Sequence, residues 1–323
     1  MQLTRTLATV VVNGVTAEVG EAPLWDSRHD ALVWVDLPVG RVHLLPTAGE
    51  PKTYDVGSYV GAALPSSRGG WLLADAVGFR ELAESGKLTT VLSVHGDQPM
   101  LRFNDAKCDP AGRAWAGSMA YDKAAGAGTL YRLDPGPVAT PVRRGLTVSN
   151  GLGWSPDGRA MWFADSANPW IEVFDYDVDS GEIVSRGPRA AIHLLDGAVP
   201  DGLCVDDEGC VWVALWGGGA VLRYTPSGVL DTRVELPVSL VTSCAFGDRD
   251  AATLFITTAR RGLRAEALRL EPLAGAIFAV RPGVTGRAAT PWAALAMEDA
   301  PGRSTGQRMR GKEVLPGKGS NGG

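Results

Sequence analysis

The sequence predicts an all-β chain folded as a six-bladed β-propeller, with four-stranded antiparallel blades around a central channel and an N-terminal strand closing the last blade. Three observations predict it. One strand-turn-strand pattern recurs along the chain, an aromatic residue marks the same position in each copy, and no amphipathic helix separates the copies.

The clearest copy runs from Asn150-Gly151-Leu152-Gly153-Trp154 through a turn at Pro156-Asp157-Gly158 to a second apolar strand that ends on Asp165. Proline presets φ and glycine accepts positive φ, so this stretch closes a tight turn between two strands. The same template fits residues 21–25 with 32–36, 60–64 with 71–75, 104–108 with 114–118, 201–205 with 211–214, and 242–246 with 254–257. Trp34, Trp71, Trp115, Trp162, Trp212 and Phe255 mark one position, at separations of 37, 44, 47, 50 and 43 residues. Such periods belong to repeat folds. A third alternating strand follows each aromatic one, as in Arg41-Val42-His43-Leu44-Leu45 and Ala220-Val221-Leu222-Arg223-Tyr224. A turn and a more polar fourth strand complete the unit.

A chain of 323 residues ordinarily suggests two domains, but blades bury their faces against one another, and residues 1–300 read as one propeller. The 41 Gly, 21 Pro and ten Trp supply many turns and a large sheet-packing core. Residues 1–12 hold an apolar run too short for a signal-peptide core. Residues 4–12 read instead as a strand completing the blade begun at Thr242, which removes two exposed sheet edges. Residues 301–323, basic and Gly-rich, read as a disordered tail.

A net charge of −5, with no basic patch interleaved with aromatics, argues against nucleic acid as a partner. No stretch approaches the roughly 20 apolar residues that span a bilayer, so no membrane role is expected. Cys108, Cys204, Cys210 and Cys244 include no CxxC pair and read as reduced thiols of a cytoplasmic protein. His29, His43, His95 and His193 read as surface or structural residues. There is no HExxH, no GxSxG and no phosphate-binding Gly-Lys-Ser/Thr loop.

The innermost strand of every blade runs along the channel, so the residues at the strand starts face one end of it. That position reads Glu21, Val60, Asn104, Asn150, Asp201 and Thr242 around the ring. Converging carboxylates repel one another unless something positive joins them. An all-oxygen set without Cys or His suits a hard divalent cation such as Ca²⁺, Mg²⁺ or Mn²⁺ better than structural zinc. The same residues also fit plain capping of strand starts by Asn and Asp.

Several stretches resemble the regucalcin and gluconolactonase family. They are Gly20-Glu21-Ala22-Pro23-Leu24-Trp25, Arg102-Phe103-Asn104-Asp105, Ser149-Asn150-Gly151-Leu152 and Pro200-Asp201-Gly202-Leu203-Cys204-Val205-Asp206. Leu236-Pro237-Val238 with Thr242-Ser243-Cys244-Ala245-Phe246-Gly247, and Pro272-Leu273-Ala274-Gly275 with Ile277-Phe278-Ala279-Val280, extend the likeness in family order. The resemblance implies a six-bladed propeller that hydrolyses sugar lactones with one divalent cation in its channel. It implies Glu21, Asn150 and Asp201 as metal ligands, and Arg102 and Asn104 as residues holding substrate hydroxyls. Ca²⁺ is the first expectation for the cation, with Zn²⁺, Mn²⁺, Mg²⁺ and Fe²⁺ as the other candidates. The cation would polarise the lactone carbonyl and Asp201 would serve as general base. A calcium-binding regulatory protein is the alternative, since it uses the same ligands. Where some members place a substrate-contacting Glu, this chain has Asp122-Lys123-Ala124-Ala125-Gly126, and Ala124 is the position expected to decide which lactone is taken.

Overall fold

The computed structural model describes residues 5–7, 9–13, 15–136, 138–185, 187–188, 190–194 and 199–295. Six antiparallel sheets form a six-bladed propeller. The innermost strands are Gly20–Asp26, Val60–Pro65, Leu101–Cys108, Ser149–Trp154, Val199–Val205 and Val241–Gly247. They neighbour one another in that order and close the ring where the last meets the first.

The aromatic markers sit in the second strands, Ala31–Asp36, Trp71–Asp75, Ala114–Ala120, Ala160–Asp165, Val211–Trp216 and Thr253–Thr258. All five tryptophans are fully buried, and Phe255 nearly so. They pack between blades. Trp212 meets Phe246 of the next blade edge to face at 5.8 Å, and Trp25 of the first blade stacks on Phe255 of the last at 5.9 Å. The apolar core therefore lies in the interfaces between sheets, as a repeat fold requires.

The N-terminus departs from the expected single strand. Val10–Asn13 completes the last blade, pairing antiparallel with Ile277–Val280. Arg5–Leu7 instead adds a fifth, parallel strand to the preceding blade, against Leu230–Glu235. One segment thus covers two sheet edges on different blades.

A short helix, Ala265–Leu270, interrupts the last blade between its second and third strands, and none of its residues is buried. Only Ala267 and Leu268 are half-buried, Leu268 against the core between the last two blades, too few positions to show an apolar period. Past the last strand, residues 281–295 run back across the far end of the channel. Gly286 bridges to Asp206, Trp292 N–H donates to Pro65 O at 2.7 Å, and Ala293 N–H donates to Gly112 O at 2.8 Å. Trp292 is buried there. The proposed tail, residues 301–323, lies outside the described residues, as do residues 296–300.

All four cysteines are buried and free. His43 and His95 are buried, and burial pushes both imidazoles down to about 4. Both therefore stay neutral and structural at ordinary pH. No helix among the described residues is long and apolar enough to cross a membrane.

Candidate active site in the channel mouth

Every inner strand carries a register shift at its channel-facing residue. The shifts fall between Glu21 and Leu24, Val60 and Ala62, Phe103 and Asp105, Ser149 and Leu152, Pro200 and Leu203, and Val241 and Ser243. A bulge leaves one residue unpaired in the ladder and re-aims its side chain. The shift recurs in six blades, and in four of them the strand-start residue, Glu21, Asn104, Asn150 or Asp201, lines a common mouth.

The bulges also demand small residues. A Cβ on Gly151 would lie 2.6 Å from the Asp201 carbonyl oxygen and 2.9 Å from Leu203 N. Gly151 thus lets the fourth and fifth inner strands approach closely enough to set Asp201 beside Asn150. Gly151→Ala is expected to cost about 1–3 kcal/mol by overpacking, read by denaturant unfolding. A cost under about 0.5 kcal/mol, the range of neutral surface changes, would show that this approach is not needed.

Glu21, Arg102, Asn104, Asn150 and Asp201 all line one cavity of about 550 Å³. Each is buried. Val60 and Thr242 do not line it; the Thr242 hydroxyl donates to Gly20 O at 2.5 Å and so serves the backbone. Burial, then the charges of Asp201 and Asp105, push the Glu21 carboxyl well above the usual range. Burial and Asp105 do the same to Asp201, opposed by the Asn150 amide and the Lys123 ammonium. Asp105, the residue after Asn104, is a buried acid that the strand-start rule passed over. Its carboxyl is also raised by burial, and it lines a second cavity toward the far end of the channel.

Asn150 Nδ2 donates to Asp201 Oδ1 and, at 3.0 Å, to Ser166 Oγ. Ser166 Oγ in turn donates to Pro200 O at 2.6 Å, which holds the amide in place. Asn150 Oδ1 is buried and has no partner. Among the described residues no three His, Cys, Asp or Glu side chains gather as a metal-holding group. The donor set here is two carboxylates plus the Asn150 amide oxygen. Two acids whose proton affinity burial and neighbouring carboxylates raise, and an amide oxygen left unsatisfied beside them, fit a hard divalent cation.

Arg102 is held from three sides. Its Nη1 donates to Asn104 Oδ1 at 2.8 Å and to Phe103 O at 3.0 Å. Its guanidinium lies 5.3 Å from the Tyr59 ring centre and 5.7 Å from that of Tyr121. Burial lowers its pKa, the positive charge of Arg261 lowers it further, and Tyr121, Tyr59 and Glu21 oppose both. Asn104 spends its other end on Ser149 O at 3.0 Å. It therefore positions Arg102, and it keeps a second Nδ2 hydrogen and a second Oδ1 lone pair on the cavity side for the substrate hydroxyl expected of it.

Tyr59, Tyr121, Lys123, Ser166, Trp216 and Arg261 also line the cavity and were not among the expected site residues. Their signal was topological. In an antiparallel pair the end of the second strand lies beside the start of the first, so residues at or just after positions 120, 165, 216 and 258 share the mouth. In the loop after the third blade's second strand the structure turns Lys123 to the cavity; Ala124 is exposed and does not line it.

Known proteins resemble this chain in both sequence and fold. The SMP-30/Gluconolactonase/LRE-like region matches residues 19–260. Regucalcin of Danio rerio is 36% identical over 267 residues, covering 81% of this chain and 90% of that protein. Regucalcin of Homo sapiens is 34% identical over 270 residues with the same coverage. The crystal structure of a calcium-binding protein, regucalcin, from Agrobacterium tumefaciens superposes with a TM-score of 0.84 at 26% identity, covering 90% of this chain and 99% of that one. A gluconolactonase from Xanthomonas campestris shares the fold, with a TM-score of 0.65 at 18% identity over 82% of this chain and 86% of that one.

Proposed function

The chain belongs to the SMP-30/gluconolactonase/LRE-like family, and from that premise we propose that it is a divalent-metal-dependent lactonase that opens a sugar lactone ring. The observation that carries this reading is the pairing of Glu21 and Asp201, two buried acids, with the unpartnered Asn150 Oδ1 and with Arg102 around one cavity. These three oxygens would hold the cation, Ca²⁺ first among the candidates, and the bound cation would supply Lewis-acid polarisation of the lactone carbonyl. Arg102 orients the substrate. Its Nε is buried without a partner, so a substrate hydroxyl or ring oxygen can accept from it. Asn104 and the two tyrosine rings keep that donor aimed.

Asp201 is the proposed general base. Burial raises its proton affinity, which suits a group that must take a proton from the attacking water. As water oxygen bonds to the carbonyl carbon, Asp201 accepts the proton. When the ring C–O bond breaks, the proton passes to the departing ring oxygen and a hydroxy acid is left.

A second reading is a calcium-binding regulatory protein without lactonase activity, supported by the relatives' name and by the calcium-binding regucalcin of Agrobacterium tumefaciens. Gluconolactone hydrolysis with and without chelator separates the two. Loss on chelation and return on adding metal is the expected result. Undiminished hydrolysis in chelator would sink the metal dependence. Calcium binding without hydrolysis of any lactone in a broad panel would favour the regulatory reading.

A pH prediction follows from the same acids. Glu21 and Asp201 bind protons more tightly folded than unfolded, so the metal-free fold holds extra protons above the ordinary carboxylate pKa of about 4. Its stability is greatest below that value and falls as pH rises toward the raised folded values. A bound cation offsets the loss. The gap in Tm between metal-loaded and chelated protein should therefore widen from pH about 4 toward neutrality. A gap that is flat or narrows with pH would count against cation binding by these acids.

A further inference from the structure

Two cationic side chains stand at the mouth of the cavity without an ion-pair partner; the acid whose charge Lys123 feels is the buried Asp201. Lys123 follows the second strand of the third blade, Arg261 that of the sixth, and three blade steps in a ring of six place them on opposite sides of the opening. Both are exposed and both line the cavity. Among the described residues neither forms an ion pair or a side-chain hydrogen bond. Asp122, the nearest acid in sequence to Lys123, turns its Oδ1 to the Ala124 N–H at 3.0 Å instead.

The loop holds Lys123 at φ 58°, in the left-handed region that a side-chain-bearing residue seldom adopts, with its N–H donated to Ala120 O at 3.0 Å. Strain of this kind at a site points to a position that the surrounding structure maintains. Arg261 stands close enough to Arg102 for the two positive charges to repel. The acids of the cavity, Glu21 and Asp201, are both buried at its floor, where a divalent cation would match them. Three positive side chains, Arg102, Lys123 and Arg261, are then left facing the space a substrate fills. Unpaired like charges around one opening attract a counter-charge from solution.

Resting on the lactonase reading above, we infer that the substrate is an acidic sugar lactone, whose carboxylate or phosphate, remote from the lactone carbonyl, is received between Lys123 and Arg261. The carbonyl goes to the floor and the anion to the mouth. A neutral aldonolactone leaves the two mouth cations without a partner and gains nothing from them. Lys123 and Arg261 are thus specificity-determining residues and take no part in bond breaking.

The test compares calcium-loaded protein on three lactones: gluconolactone, glucarolactone, which carries a carboxylate in place of the terminal hydroxymethyl group, and phosphogluconolactone. At least one acidic lactone should be preferred by about ten-fold or more in kcat/KM, through KM, and the preference should shrink as salt screens the exposed charges. The lower KM among the two acidic substrates tells carboxylate from phosphate. In the double variant Lys123→Asn, Arg261→Gln the ratio of acidic to neutral kcat/KM should fall about ten-fold or more. Asparagine is chosen because it tolerates positive φ. Titration calorimetry supplies a readout apart from turnover: glucarate should bind more tightly than gluconate, and the double variant should lose that difference. Gluconolactone used as well as either acidic lactone, with the variants shifting all three alike, would overturn the substrate class while leaving the lactonase reading in place. Hydrolysis of no lactone at all would overturn both.

Discussion

At saturating divalent metal, Asp201→Asn is expected to remain impaired in lactone hydrolysis by about a hundred-fold or more, the scale of a lost general base, whereas Glu21→Gln should regain part of its activity. Both substitutions keep size and one oxygen while removing a buried negative charge, so both weaken cation binding. Only Asp201→Asn also removes the proton acceptor. A readout independent of turnover accompanies the kinetics. Each substitution relieves like-charge repulsion between Glu21, Asp201 and Asp105, so in chelator each variant should melt above the wild type. Full recovery of both variants would make Asp201 a ligand alone and move the base elsewhere. Unchanged metal affinity and unchanged hydrolysis in both would remove the channel site.

Trp212→Ala is expected to cost about 3–5 kcal/mol of unfolding free energy, because it opens a cavity between two blades. Trp212 is fully buried, its ring lies under the Arg223 guanidinium at 5.6 Å, and its Nε1 donates to Asp206 Oδ2 at 2.9 Å. Asp206 keeps Arg223 Nε at 2.8 Å and two backbone N–H donors after the change, so lost packing dominates over lost polar contact. Trp212→Phe should then cost distinctly less, since it restores most of the ring and gives up one hydrogen bond of about 1 kcal/mol. Equal costs for the two variants, or a cost of Trp212→Ala under about 1 kcal/mol, would contradict the inter-blade role.

What could be read in the chain without coordinates was whatever neighbours in sequence decide. Turn residues such as Pro156-Asp157-Gly158 and a buried aromatic in every second strand recur with the blade, and together they determine strand count, blade count and which residues begin each inner strand. Because strand starts share one end of a ring, Glu21, Asn104, Asn150 and Asp201 were legible as one constellation before any distance was known. Partners set by closure of the ring were not. That Asn104 bonds to Arg102 and Ser149 O, that Thr242 turns to Gly20 O, and that Arg5–Leu7 leaves the last blade for its neighbour depend on how far one blade lies from the next. Only the tertiary structure sets Lys123 across the mouth from Arg261, 138 residues later in sequence. The physical reason is that turn chemistry and strand alternation act over a few residues. A contact across the channel is the sum of six sheet twists and bulges, each small, and no local pattern records their sum.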